Sequence, residues 1–233
     1  MEKDLDTKVK QFHKDVAERG EDVVFRVFPS KIFELQEIIQ SIDDPASPFS
    51  LSDLTGSTNT TVYPTPLDNN DGVVVNDTKY AKHPSLVYDN PKIQKINEVI
   101  LKQIDEMVLL VEHVEVWIIL TMPKIEDGDN FGVEVQEKVL EQLLSASKSA
   151  TEFRDTALEH HLKRAKICSK LIKYPNVKDY ALALEEHDKR QIYSARGQLK
   201  EIQNIYAVLA DVIQKNILKI RAPKANNGGF YAS

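Results

Sequence analysis

The chain carries a single cysteine, Cys168, among its 233 residues, so no internal disulfide can form. A lone thiol on a helix face is more often a small apolar filler than a nucleophile. Glycine is scarce as well, at eight residues, and none opens a Gly-x-x-x-x-Gly-Lys-Ser/Thr run, which excludes a P-loop. No apolar stretch approaches the ~18 uninterrupted residues that a membrane-spanning helix needs. Basic residues are not in excess: the formal net charge is −6, which argues against a general binder of nucleic acid. The opening residues, Met1-Glu-Lys-Asp-Leu-Asp6, hold no apolar signal core, and the expectation is a soluble protein of the cytoplasm or nucleus. No nucleophile–base pair can be nominated and no cofactor is expected.

What remains is a helix-forming composition. Apolar residues make up 42% of the chain and charged residues 28%, enough for a substantial core beneath polar outer faces. Apolar spacing predicts four helices in one domain spanning residues 1–233. The first covers about 4–42, with a kink or local break near Gly20 and Pro29. Residues 43–90 lack a sustained period and are rich in turn formers such as Thr55-Gly-Ser-Thr-Asn-Thr-Thr61. They read as a flexible insert. The second helix starts at Asn90-Pro91, a cap followed by proline at the first helical position, and runs to about 121. Its latter half, Met107 to Leu120, is apolar on nearly every side, which a lone bundle cannot bury. A neighbouring subunit is therefore expected. The third helix covers about 132–173 and the fourth about 176–221, each roughly 60 Å long at ~1.5 Å per residue. Residues 222–233 form a tail.

Between the second and third helices lies Pro123-Lys-Ile-Glu-Asp-Gly-Asp-Asn-Phe-Gly132. Pro123 ends one helix, Gly128 and Gly132 permit unusual backbone angles, and Asp129 or Asn130 can cap the next helix. Short turns make the last three helices antiparallel neighbours. The loop and the C-terminal tail are thereby expected side by side at one end of an all-α, up-down-up-down four-helix bundle.

The segment Pro123–Val139 resembles the activation loop of the 11S proteasome activators, the REG family. Arg164-Ala-Lys166, Ser169-Lys170 and Lys173-Tyr-Pro-Asn-Val-Lys-Asp-Tyr180 look like the gamma-type member, which forms homomeric rings, and Phe28-Pro-x-Lys-x-x-Glu-Leu35 is similar to the family's first helix. The resemblance covers most of the chain except the insert. It implies a heptameric ring around an axial channel that caps the 20S proteasome without nucleotide. The docking elements would be the tail residues Gly229, Phe230, Tyr231, Ala232 and Ser233, seated between core α-subunits. Opening of the gate would fall to the loop residues Pro123, Lys124, Ile125, Glu126, Asp127, Gly128, Asp129, Asn130, Phe131 and Gly132. Lys166 would be a channel residue. The implied partners are the 20S α-subunits and further copies of the chain, with no nucleic acid and no membrane. Family tails often finish on Tyr, whereas Tyr231 is followed here by Ala232-Ser233. The insert lacks the basic cluster that looks like a nuclear import signal in the gamma-type member.

Blander readings stand beside these. Asp127-Gly-Asp129 with Gly132 lacks oxygen ligands at the fifth and twelfth positions of a calcium loop, Phe131 and Lys138. Glu159-His160-His161 reads as a solvated face, because adjacent histidines on a helix point about 100° apart. Lys166 could be an ordinary exposed lysine. The competing function is a helical scaffold or adaptor ring without gate opening, which would not require the shaped Pro–Gly–Asp-Asn loop.

Overall fold

The computed structural model describes residues 2–47, 58–64, 85–124 and 130–224. In chain order these form α1 (Glu2–Asp22), a π-helical turn (Val23–Val27), α2 (Phe28–Asp43), β1 (Tyr63–Pro64), β2 (Ser85–Leu86), α3 (Pro91–Thr121), α4 (Phe131–Lys173), α5 (Lys178–Lys215) and the short α6 (Ile217–Arg221). The protein is an all-α helical bundle. Its described strands are one antiparallel pair, with Tyr63 opposite Leu86 and Pro64 opposite Ser85.

The chain groups into two compact units. The first is drawn from Met1–Gln40, Ile100–Arg154 and Gln198–Ser233. Its core takes Phe28 and Leu35 from α2, Ile104, Met107, Val111, Val114 and Ile118 from α3, Val139 and Leu143 from α4, and Leu199, Ile202, Tyr206 and Ile213 from α5. The three- and four-residue spacing on each helix sets these side chains along one stripe, so burial follows the sequence period. Phe28 meets Tyr206 with ring centroids 5.3 Å apart. Lys31 reaches Glu34 at 2.7 Å and also pairs with Glu106, tying α2 to α3.

The expected break in the first helix takes a specific form. The Phe28 N–H donates to the Val23 carbonyl, five residues back, and so widens the helix by one residue just before Pro29. Gly20, by contrast, lies inside α1 at a close approach, where an added Cβ would stand 2.6 Å from the Cβ of Trp117. Not every apolar residue of the helical patterns goes inward. Leu5, Val9, Phe12 and Phe33 are exposed, and so is Leu158 on α4. On α3, Val108, Leu109, Val116 and Ile119 also remain exposed in the single chain, the surplus that the apolar crowding of this helix foreshadows.

The second unit is drawn from Ser41–Val99 and Asp155–Gly197. Ile42, Ile93, Ile96, Leu171, Leu184, Ile192 and Ala195 are buried in it. Asn90 caps α3 as expected, its side-chain oxygen accepting the Lys92 N–H at 3.0 Å ahead of Pro91. The Arg196 guanidinium grips both oxygens of Asp43, at 2.7 and 2.5 Å.

Candidate functional site

In the first unit, α3 closes in a tight last turn. The Thr121 hydroxyl donates to the Trp117 carbonyl at 2.7 Å, and the Met122 N–H is shared between the carbonyls of Ile118 and Ile119. Pro123 has no N–H to continue the ladder. The expected loop residues Ile125, Glu126, Asp127, Gly128 and Asp129 lie outside the described residues, as do the tail residues Gly229, Phe230, Tyr231, Ala232 and Ser233. The flanks of both segments are described.

Asn130 stands at the start of α4, its carbonyl accepting the Glu134 N–H at 2.9 Å. Gly132 lies inside α4 rather than at a special backbone angle, which corrects the expectation from sequence. Its role is close approach: an added Cβ would fall 2.1 Å from the Pro223 carbonyl oxygen and 2.5 Å from the Pro223 Cα. Glycine is required there because backbone occupies the space a side chain would need. One turn on, the buried Gln136 amide donates to the Ile220 carbonyl at 2.9 Å, satisfying a group at the end of α6. The Lys219 ammonium sits 5.8 Å from the ring centre of the exposed Phe131, and the Lys224 ammonium reaches the Lys124 carbonyl at 3.5 Å. The start of α4, the end of α3 and residues 220–224 are thereby held together, bringing the roots of loop and tail to one place as the topology requires.

Lys166 belongs to the second unit and is exposed on α4. Two residues before it, Arg164 is buried. Arg164 donates from Nε to Asp188 at 3.0 Å and from Nη2 to the Tyr88 carbonyl at 3.1 Å, with Asp89 3.6 Å away. Asp188 also accepts from the Thr58 hydroxyl at 2.9 Å and from the Asn90 amide at 3.3 Å. Thr58 and the C-terminal end of the insert, Tyr88 to Asn90, are thus anchored on one buried ion pair. A sequence signal exists: Leu184, Asp188 and Ile192 share a stripe, and a charge at its middle position calls for a buried partner. Beside this cluster an open groove of about 750 Å³ is lined by Leu86, Val87, Ala165, Cys168 and Ile172. Burial pushes the Cys168 thiol pKa up, so the groove holds no activated thiolate.

His160 corrects a second expectation. It is 2% exposed rather than solvated, its ring parallel to that of His187, with Nδ1 3.0 Å from His187 Nε2. Burial, reinforced by the neighbouring His187 and His161, holds its pKa down at about 4, and burial also lowers that of His187. Among the described residues, no group of three or more His, Cys, Asp or Glu side chains is arranged to hold a metal, and no helix is long and apolar enough to cross a membrane.

The described helices form an all-α bundle in which the root of the loop and the root of the tail are held together. Residues 3–56 match the family description "Proteasome activator PA28, N-terminal", and residues 86–230 match "Proteasome activator PA28, C-terminal". Proteasome activator complex subunit 3 of Pongo abelii is 30% identical over 248 residues, covering 97% of this chain and 96% of that protein. Among solved structures, the 11S subunit of the Plasmodium falciparum proteasome, PA28, is 26% identical. It superposes with a TM-score of 0.80 over 95% of this chain and 96% of its own. A structure of an archaeal 20S proteasome in complex with a mutated P26 activator shares the fold, with a TM-score of 0.64 at 12% identity over 96% and 99% of the two chains. The chain belongs to the proteasome activator PA28 family.

Proposed function

We propose that this chain assembles into a ring of seven copies that docks on the 20S proteasome α-subunits and opens the gate of the core. The carrying observation is the seating of Gly132 on the Pro223 backbone, which joins the roots of loop and tail. A rigid joint of this kind makes the position of the loop depend on where the tail is bound. In this reading each tail, Gly229–Ser233, is a weak ligand alone, and many tails on one ring bind at high effective concentration. The loop Pro123–Gly132 then favours the open gate through contacts that only the open state offers. Exposed apolar residues on α3, Leu109 and Ile119 among them, supply surface for a neighbouring copy. The chain contributes no catalytic chemistry and no cofactor, since hydrolysis belongs to the sites of the core. Lys166 lines the channel and tunes which peptides pass, and the ring works in the cytoplasm, the nucleus or both.

The test is fluorogenic-peptide hydrolysis by latent 20S proteasome, with the intact protein and with its last five residues removed. Stimulation that disappears on truncation supports tail docking. Asn130→Tyr separates the loop from the tail: stimulation should fall while ring assembly and core binding persist. An intact ring that binds a matched core without stimulating it would leave a scaffold role in place of gate opening.

A further inference from the structure

Within the second unit, α4 and α5 enclose a pocket of about 290 Å³. Its lining residues stand at positions 156, 159, 160 and 163 of α4 and 187, 190, 191 and 194 of α5, and all are polar. The spacing on each helix is that of a packing stripe, where apolar residues are the rule. This length of the helix pair inverts that rule, and such local conflicts between pattern and fold concentrate at functional sites.

The inverted stripe is rich in donors. Lys163, Arg190, Gln191 and Ser194 line it beside the two histidines, against one carboxylate, Glu159, which is already paired with Lys163. Arg190 has no ion pair among the described residues. His160 is buried, and its Nε2 has no hydrogen-bond partner there, while its Nδ1 is engaged with His187. When Nδ1 accepts from His187, Nε2 carries a proton and is an unused buried donor.

We infer that this pocket binds a tetrahedral phosphate, as the free anion or as a small phosphate monoester. The Arg190 guanidinium presents a planar fork suited to two phosphate oxygens, and the Ser194 hydroxyl and Gln191 amide add neutral donors. Lys163 balances Glu159 and leaves Arg190 as the net positive charge. A bound dianion favours imidazolium at the histidine pair, so protonation of that pair strengthens the hold on the anion. The charged and titratable groups facing that pair are Glu159, His161 and Lys163 on α4, Asp188 and Arg190 on α5, and the nearby Asp89 and Arg164. The inference is independent of the proposed gate opening, because none of these residues belongs to the loop or the tail.

The experiment is titration calorimetry of the assembled full-length protein with sodium phosphate and, separately, with glycerol phosphate, each against sodium chloride at matched ionic strength. Saturable heat is expected at pH 6.5, at least tenfold weaker binding with Arg190→Ala, and a smaller loss with Ser194→Ala. Tighter binding of the ester assigns the site to a phosphorylated metabolite, and tighter binding of inorganic phosphate assigns it to the free anion. A response no larger than that to chloride, or one that survives Arg190→Ala unchanged, overturns the assignment. Arg190 is exposed, so its replacement leaves the fold intact and a negative result is interpretable.

Discussion

The side-chain amide of Gln214 donates to the backbone carbonyl of Val24 at 3.0 Å. That carbonyl has lost both helical partners. The Phe28 N–H is drawn to Val23 in the π-helical turn, and the next residue in line, Pro29, has no N–H to give. Val24 is fully buried, so water cannot take the place of Gln214. Replacing Gln214 by Ala should cost ~1–3 kcal/mol, the penalty of a buried acceptor left unpaired. The loss should shrink in a Pro29→Ala background, where an N–H becomes available to Val24. Chemical denaturation at fixed protein concentration measures the cycle, and equal losses in both backgrounds would refute the explanation.

Two glycines inside helices should respond to Ala in opposite directions. At Gly20 the new methyl would meet Trp117 at 2.6 Å, and overpacking of this kind destabilises by ~1–3 kcal/mol. At Gly197 nothing lies within 4 Å, so Gly197→Ala should stabilise α5 by up to ~1 kcal/mol through helix propensity alone. Thermal denaturation of the two variants side by side reads the contrast.

Gly132→Ala probes the joint between loop and tail. The methyl group would displace the Pro223 backbone, which no side-chain rotation can accommodate. Stimulation of 20S peptide hydrolysis should fall severalfold while helix content by circular dichroism stays near that of the parent. Full stimulation by this variant would count against the joint as a coupling element.

Asp188→Ala should destabilise by ~3–5 kcal/mol, because the guanidinium of Arg164 is left buried without its main partner. Part of the loss should return in the Arg164→Leu, Asp188→Ala double variant. Hydrogen exchange should quicken at residues 58–64 and 85–90, which hang on this pair through Thr58, Tyr88 and Asn90. Protection unchanged at those residues would show that the anchor lies elsewhere.

The pH dependence of stability follows from His160. Its pKa is lowered from its ordinary 6.5 to about 4, so the folded protein binds fewer protons there than the unfolded chain. The contribution of the neutral ring is complete above pH 6.5 and is lost progressively as pH falls toward 4. Denaturation midpoints in phosphate-free buffer should decline over that window, and His160→Leu should flatten the slope. A parent protein with no decline between those values would place the imidazole in water.

The sequence alone determined the helices, the Asn90 cap and the meeting of the loop's root with the tail's root, because each follows from local rules. Periodic apolar residues on α3 and α5 dictate burial, Asn90-Pro91 and Pro123 mark ends, and short connections dictate antiparallel neighbours. The tertiary structure alone decided the roles of Gly132, Val24, Asp188 and His160. Each depends on a group far away in the chain: Pro223, Gln214, Arg164 and His187. Local pattern shows that a buried charge or a helical glycine is unusual, but only the folded chain supplies the partner that accounts for it.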